Sequence, residues 1–141
     1  MADFDWSDYL SLSVELLQGH GKVTHHPLAC WRTVVSRSYY AAFHVAEVYG
    51  RTNGGGKRWK RLQHQWGGDP NKEVHEFVRQ WFVQSPNDEE KKLGAKLYDL
   101  RDKRKEADYK GWVSISEEDA EWAREVAHQI IEELKRIAQS S

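Results

Sequence analysis

The run from Trp31 to Tyr49, WRTVVSRSYYAAFHVAEVY, constrains the fold more than any other stretch of this chain. Trp31, Val34, Val35, Ser38, Tyr39, Ala42, Val45, Ala46 and Tyr49 recur at spacings of three and four. Such spacing places them on one stripe of an α-helix, and a stripe of that length has to be covered by other elements. Arg37, Tyr40, His44 and Val48 form a second stripe. Arg37 and His44 are seven residues apart, so they lie nearly in line, roughly 10 Å apart along the axis. One side of this helix can fill a core, and the other carries groups capable of chemistry.

The remaining sequence supplies helices to cover it. Asp5 or Ser7 can cap a first helix running to about Gln18, with Trp6, Tyr9, Leu10, Val14 and Leu17 as its apolar stripe and Gly19 as a stop. His20 to Pro27 reads as a connection, and Pro27 suits the first turn of the long helix, expected from Leu28 to Gly50. Gly54, Gly55 and Gly56 then predict a mobile loop, with a short helical piece through Trp59, Leu62 and Trp66. Asp69 or Asn71 can cap a third helix carrying Val74, Phe77, Val78, Trp81 and Phe82 and ending near Ser85 and Pro86. Asn87 or Asp88 opens a fourth, with Asp88, Glu89 and Glu90 in its first turn and Leu93, Leu97 and Leu100 as its stripe, to about Ala107. Asp108 to Ile115 reads as extended loop. Ser116, with Asp119 three residues on, caps a last helix whose inner face is Ala123, Val126, Ala127, Ile130, Leu134 and Ile137. No segment alternates with period two for long enough to suggest a sheet. The expected class is all-α, a bundle of four main helices and one shorter one.

Length and composition agree with one soluble domain of 141 residues, 39% hydrophobic and 30% charged. No apolar run approaches the roughly 18 residues that span a bilayer, and the acidic start MADFDWSDYL lacks the features of a signal peptide. No membrane association is expected, and the cytoplasm is the default location. The single Cys30 forms no intrachain disulfide, in keeping with a reducing compartment. Net charge is −1, so the whole chain does not read as a polyanion binder, but charge is unevenly placed: Arg51, Lys57, Arg58, Lys60 and Arg61 crowd one segment with no acid among them.

Three constellations carry chemistry. Arg37, Tyr40 and His44 bring a guanidinium, a phenol and an imidazole to one helical face; an Arg holds a phosphoryl oxygen and a His moves protons near neutral pH. The alternative is that Tyr40 and His44 are hydrogen-bonded between helices. Arg101, Lys105 and Asp108, with Arg104 and Tyr109 close by, form a second line, or else a solvated face at a helix end. The basic segment from Arg51 to Arg61 joins cations, glycines and the Trp59 indole, a combination that contacts nucleic acid in some proteins and is a plain exposed loop in others. His20, His25, His26 and Cys30 match no standard zinc spacing, and a plain loop is the better reading. The chain has no P-loop, no dinucleotide fingerprint and no HExxH, so neither cofactor nor metal is expected.

Two of these segments resemble the HEPN superfamily of small α-helical proteins. The segment SRSYYAAFHVA from Ser36 to Ala46 is similar to the SRxYYAxFHxA of one branch, and RDKRKEADY from Arg101 to Tyr109 to its RxxxxxADY. His64, ahead of Phe77 and Val78, resembles a His that this branch carries before a Phe-rich helix. The order and spacing cover the chain from about Ala29 to the last helix. The resemblance implies a single HEPN-like domain over residues 1–141, a four- to five-helix up-and-down bundle that commonly forms a homodimer. It also implies a bacterial toxin–antitoxin or phage-defence setting, a nucleotidyltransferase or other effector protein as partner, and RNA or a nucleotide as ligand.

Active members of the superfamily are metal-independent endoribonucleases with an Arg, a polar residue and then a His separated from the Arg by four to six residues. The 2′-hydroxyl attacks the adjacent phosphate, the His serves as acid or base, and the Arg stabilises the phosphorane. Here Arg101 and Asp102 match the start, but Glu106, Ala107 and Asp108 stand where the His falls. Arg37 precedes His44 by seven positions and Arg58 precedes His64 by six. If the chain cleaves RNA, Arg37, His44, Arg101 and Asp108 are the expected catalytic residues. Tyr40, Tyr109, Arg104, His64, Arg58 and Lys60 are then the binding residues. The two line-of-seven faces are expected to pack together, with Arg37 or Arg101 pairing with Asp108. The competing expectation is a non-catalytic interaction module, a subunit or antitoxin that docks on a nucleotidyltransferase or effector.

Overall fold

The computed structural model describes residues 5–23 and 26–140, the side chains of residues 20–23 and 140 excepted. Of the histidines weighed as metal ligands, His25 and the side chain of His20 lie outside the described residues. Among the described residues the regular structure is helical throughout: α1 (Asp8–Val23), α2 (Pro27–Thr52), α3 (Lys57–Gln65), α4 (Val74–Val83), α5 (Asp88–Tyr109) and α6 (Glu117–Ser140). A 3-10 turn, Asn53–Gly56, separates α2 from α3. None of the described helices is long and apolar enough to cross a membrane.

The four long helices form the frame, and α2 is its centre, packing against α6, α1, α5 and α4. Eight of the nine residues of its expected stripe are buried, and Val45 is half-buried. Ala41 and Phe43, outside that stripe, are buried too, because a helix flanked on several sides is covered around most of its circumference. Ala120, Ala123, Ala127, Ile130, Ile131 and Leu134 form the buried face of α6.

Local chemistry sets most boundaries. Asn87 caps α5 by accepting from the Glu90 amide at 3.1 Å. Ser116 and Asp119 form a reciprocal capping box, the Asp119 amide donating to the Ser116 hydroxyl at 3.1 Å and the Ser116 amide to the Asp119 carboxylate at 2.9 Å. Three boundaries differ from expectation. α4 starts at Val74 with Glu73 at its N-cap and no side-chain cap hydrogen bond, so neither Asp69 nor Asn71 caps it. α1 continues to Val23 through Gly19, since a helical glycine costs only about 1 kcal/mol and packing on α2 and α6 outweighs it. α5 includes Asp108 and Tyr109, because Arg32 of α2 reaches its open carbonyls. That guanidinium donates to Glu106 O at 3.2 Å, Ala107 O at 2.9 Å and Val113 O.

The glycines expected to form a mobile loop form the 3-10 turn instead. Gly54, Gly55 and Gly56 all have left-handed φ, at 59°, 72° and 76°. A Cβ on Gly56 would stand 2.6 Å from the Arg51 carbonyl oxygen, so glycine is required there for steric as well as conformational reasons. The turn delivers α3, which is anchored by buried Trp59 and Leu62.

Candidate functional site

The two segments that stand out in sequence meet where α2 packs on α5, and the residue at their centre is Arg104. Its side chain is almost fully buried. Its guanidinium lies over three phenol rings, 5.1 Å from the Tyr39 centroid, 5.3 Å from Tyr40 and 5.5 Å from Tyr109. It donates to the Tyr109 hydroxyl at 3.2 Å and lies 3.7 Å from the Asp108 carboxylate. The same Asp108 oxygen, Oδ2, accepts from the Ser36 hydroxyl at 3.1 Å. Arg104 therefore takes the position expected of Arg37 or Arg101 as the partner of Asp108. The physical reason is helical: Arg104 and Asp108 are one turn apart on α5, whereas Arg37 points toward α1.

Behind Arg104 the network continues to α4. The Tyr39 hydroxyl and His75 Nδ1 share a 2.6 Å hydrogen bond, and the His75 ring stacks on Phe43 at 4.2 Å. Burial, helped by the positive fields of Arg101 and Arg104, pushes His75 down to about 4, so its imidazole is neutral at physiological pH. Burial likewise pushes the Tyr39 phenol well above its ordinary value, against the opposing pull of the two arginines. Arg101 reaches Glu76 at 3.4 Å. The Nε atoms of Arg101 and Arg104 are buried without a hydrogen-bond partner.

Arg37 and His44 keep their alignment along α2 but face the start of the chain. Arg37 lies 5.1 Å from the Tyr9 ring centroid. His44 stacks on Trp6, with centroids 3.7 Å apart, and its Nδ1 is 3.3 Å from Glu47. The hydrogen bond from His44, with help from Arg51, holds the Glu47 carboxyl below its usual range against the effect of burial. Trp6, His44, Val45, Val48 and Lys135 border a surface cavity of about 590 Å³.

The remaining candidates lie on α3. His64 and Lys60 are exposed there. Arg58 turns inward and is held by Glu90 at 3.0 Å, by the Trp81 carbonyl at 2.8 Å and over the Trp81 ring at 4.0 Å. Glu90, read from sequence as a favourable first-turn acid, is buried and also accepts from Tyr49 at 2.6 Å and from Ser85.

The candidate residues thus divide into three neighbourhoods. Tyr40, Arg101, Arg104, Asp108 and Tyr109 gather between α2 and α5. Arg37 and His44 lie under the first turn, and Arg58, Lys60 and His64 lie on α3. Sequence reasoning missed His75, Tyr39, Ser36 and Glu76. Tyr39 falls on the apolar stripe by its spacing, and His75 is one of four polar residues on α4, so neither carries a distinguishing signal in the sequence. Among the described residues no group of three or more His, Cys, Asp or Glu side chains is placed to hold a metal ion. Fold and site together define a helical bundle with an arginine–tyrosine cluster where α2 packs on α5. Comparison with protein-family models, with curated proteins and with solved structures finds no match.

Proposed function

We propose that the chain is a HEPN-type helical interaction module that docks on a partner protein and does not itself cleave RNA. One observation carries this reading. Arg37, His44, Arg101 and Asp108, the residues a nuclease would need together, are each engaged by a different part of the same chain: Tyr9, Trp6 with Glu47, Glu76, and Ser36 with Arg104. The absence of a His at the motif spacing after Arg101 points the same way. The Ser36–Arg104–Asp108 interlock gives the two HEPN-like segments an architectural task, joining α2 to α5. The toxin–antitoxin or phage-defence setting, with a nucleotidyltransferase or effector as partner, rests on the resemblance alone. The test has two arms. Co-expression with the product of the neighbouring gene is expected to yield a stable complex on size exclusion. Incubation with a panel of single-stranded RNAs in chelator is expected to leave them intact. Cleavage by the wild type that either His44→Ala or His75→Ala abolishes would overturn the reading.

A second reading, an RNA- or nucleotide-directed and metal-independent endoribonuclease, has one observation in its favour. A neutral His75 imidazole stands hydrogen-bonded to a phenol and within the fields of two guanidinium groups, a set able to move a proton beside a phosphate. On that reading His75→Ala and Arg101→Ala each abolish metal-independent cleavage, while His44→Ala retains it.

A further inference from the structure

The face of α3 opposite its buried anchors is built from basic side chains, three of them Lys or Arg. Lys57, Lys60, Arg61 and His64 are exposed and recur at i, i+3, i+4 and i+7, one stripe spanning roughly 10 Å. The other exposed side chains of α3, Gln63 and Gln65, are polar. No acidic residue occurs in the helix. The nearby carboxylates are committed elsewhere, Glu90 to Arg58, Glu47 to Arg51 and Glu73 to the Trp66 indole. Beside the stripe, Arg61, Gln65 and Gln84 line a notch of about 200 Å³.

This arrangement works against the stability of α3. Lys57 occupies the first turn, where the helix dipole repels a cation. The pairs Lys57/Lys60, Lys57/Arg61 and Lys60/His64 set like groups on neighbouring turns, an arrangement that weakens a helix whenever both partners are charged. A feature that local helix physics disfavours, held in place by Trp59, Leu62 and Arg58, calls for a ligand that rewards it.

We infer that the Lys57/Lys60/Arg61/His64 face of α3 binds the phosphate backbone of double-helical nucleic acid without reading its sequence. Two features select this occupant. Protein–protein interfaces are built around an apolar or aromatic centre, and the exposed face of α3 has no apolar side chain. Single-strand binders stack bases on exposed aromatic rings, and Trp59 is buried beneath the stripe. A backbone needs only cations, and phosphates about 3.4 Å apart along the axis of each strand put several within the reach of the stripe. The surface lies away from the α2–α5 cluster, involves no cleavage and rests on neither functional reading above.

Fluorescence anisotropy of the full chain with labelled DNA duplexes of about 20 base pairs, in two unrelated sequences and over a range of salt, tests the inference. Both duplexes are expected to bind alike, with log K falling linearly against log salt. The triple variant Lys57→Gln/Lys60→Gln/Arg61→Gln is expected to weaken binding at least about tenfold at low salt. Lys60→Gln and Arg61→Gln singly are each expected to reduce the slope by about 0.9, and these carry the test if the triple variant unfolds. Lys91→Gln/Lys92→Gln/Lys96→Gln on α5 is expected to bind like the wild type. The inference is overturned by no binding at low salt, by undiminished binding of the α3 variants, or by an equal loss in the α5 variant. Displacement of the duplex by poly-glutamate as effective as by unlabelled duplex would also overturn it, in favour of an acidic protein.

Discussion

Arg104 shows how one side chain converts two sequence segments into a tertiary junction. Its guanidinium is nearly dry, yet its partner Asp108 stays partly exposed, so removing Arg104 strands no fully buried carboxylate. The loss falls on the ring contacts and on packing instead. Arg104→Ala is therefore expected to lower unfolding stability by about 2–3 kcal/mol in urea titration, below the 3–5 kcal/mol of a fully buried pair. Arg104→Lys is expected to recover only part, since an ammonium lacks the flat fork that lies among three rings. A change below about 0.5 kcal/mol in Arg104→Ala would show that the cluster is ornamental. His75 provides a second, independent measurement. Its folded value of about 4 lies below its ordinary 6.5, so between these values the unfolded chain binds more protons. Its contribution is complete above 6.5 and is lost as pH falls toward 4. Glu47 and Glu76, also held below their usual range, add a loss of the same sign at still lower pH. Thermal melts of the wild type are expected to fall steeply from pH 6.5 to 4, and those of His75→Gln to fall much less. Parallel curves would remove His75 as the cause.

At the scale of elements, what sequence could reveal was whatever is written locally. The α2 stripe, the Asn87 cap and the Ser116/Asp119 box depend on residues within one or two turns of each other, and each is found where its pattern predicts. Features made by distant partners were invisible. Arg32 closing the end of α5 and Glu90 drawing together Tyr49, Arg58 and Ser85 arise only once helices pack. The candidate site divided along the same line: the motif segments were recognisable, but which arginine meets Asp108 depended on the rotation of α5 against α2. Gly94 illustrates a packing constraint that opposes local propensity. Alanine in a helix is favoured over glycine by about 1 kcal/mol. A Cβ at this position, however, would stand 2.8 Å from the Phe82 Cβ, an atom tied to the α4 backbone. Overpacking of this kind costs about 1–3 kcal/mol. Gly94→Ala is expected to be net destabilising by about 1 kcal/mol in urea titration, whereas Gly111→Ala, in open space, is expected to be near neutral. A stabilised Gly94→Ala protein would mean that α4 and α5 separate freely.

For the whole molecule, the unequal attachment of the helices matters most. α2 is packed by α1, α4, α5 and α6 and supplies much of the buried core, including Val34, Val35, Ala41 and Ala42. Its amides can open only when most of those contacts are lost together. α3 packs chiefly on the glycine turn and on α4, and its outer face is solvated. It has less to lose on opening, and its line of cations adds internal repulsion. Local openings follow such differences in packing, with protection running from near zero at weakly held elements to the global stability at the core. Native-state hydrogen exchange is therefore expected to show the slowest amides in α2 between Val34 and Ala46. Those of α3 should be at least about tenfold faster, a gap of about 1.4 kcal/mol. Duplex DNA, if it binds α3 as inferred, is expected to slow α3 selectively, since a ligand stabilises the state that it binds and α2 already opens only with the whole fold. Equal protection of α3 and α2 without DNA would mean that Trp59, Leu62 and Arg58 tie the helix into the global unit. The cationic face would then be a surface held as firmly as the core beneath it.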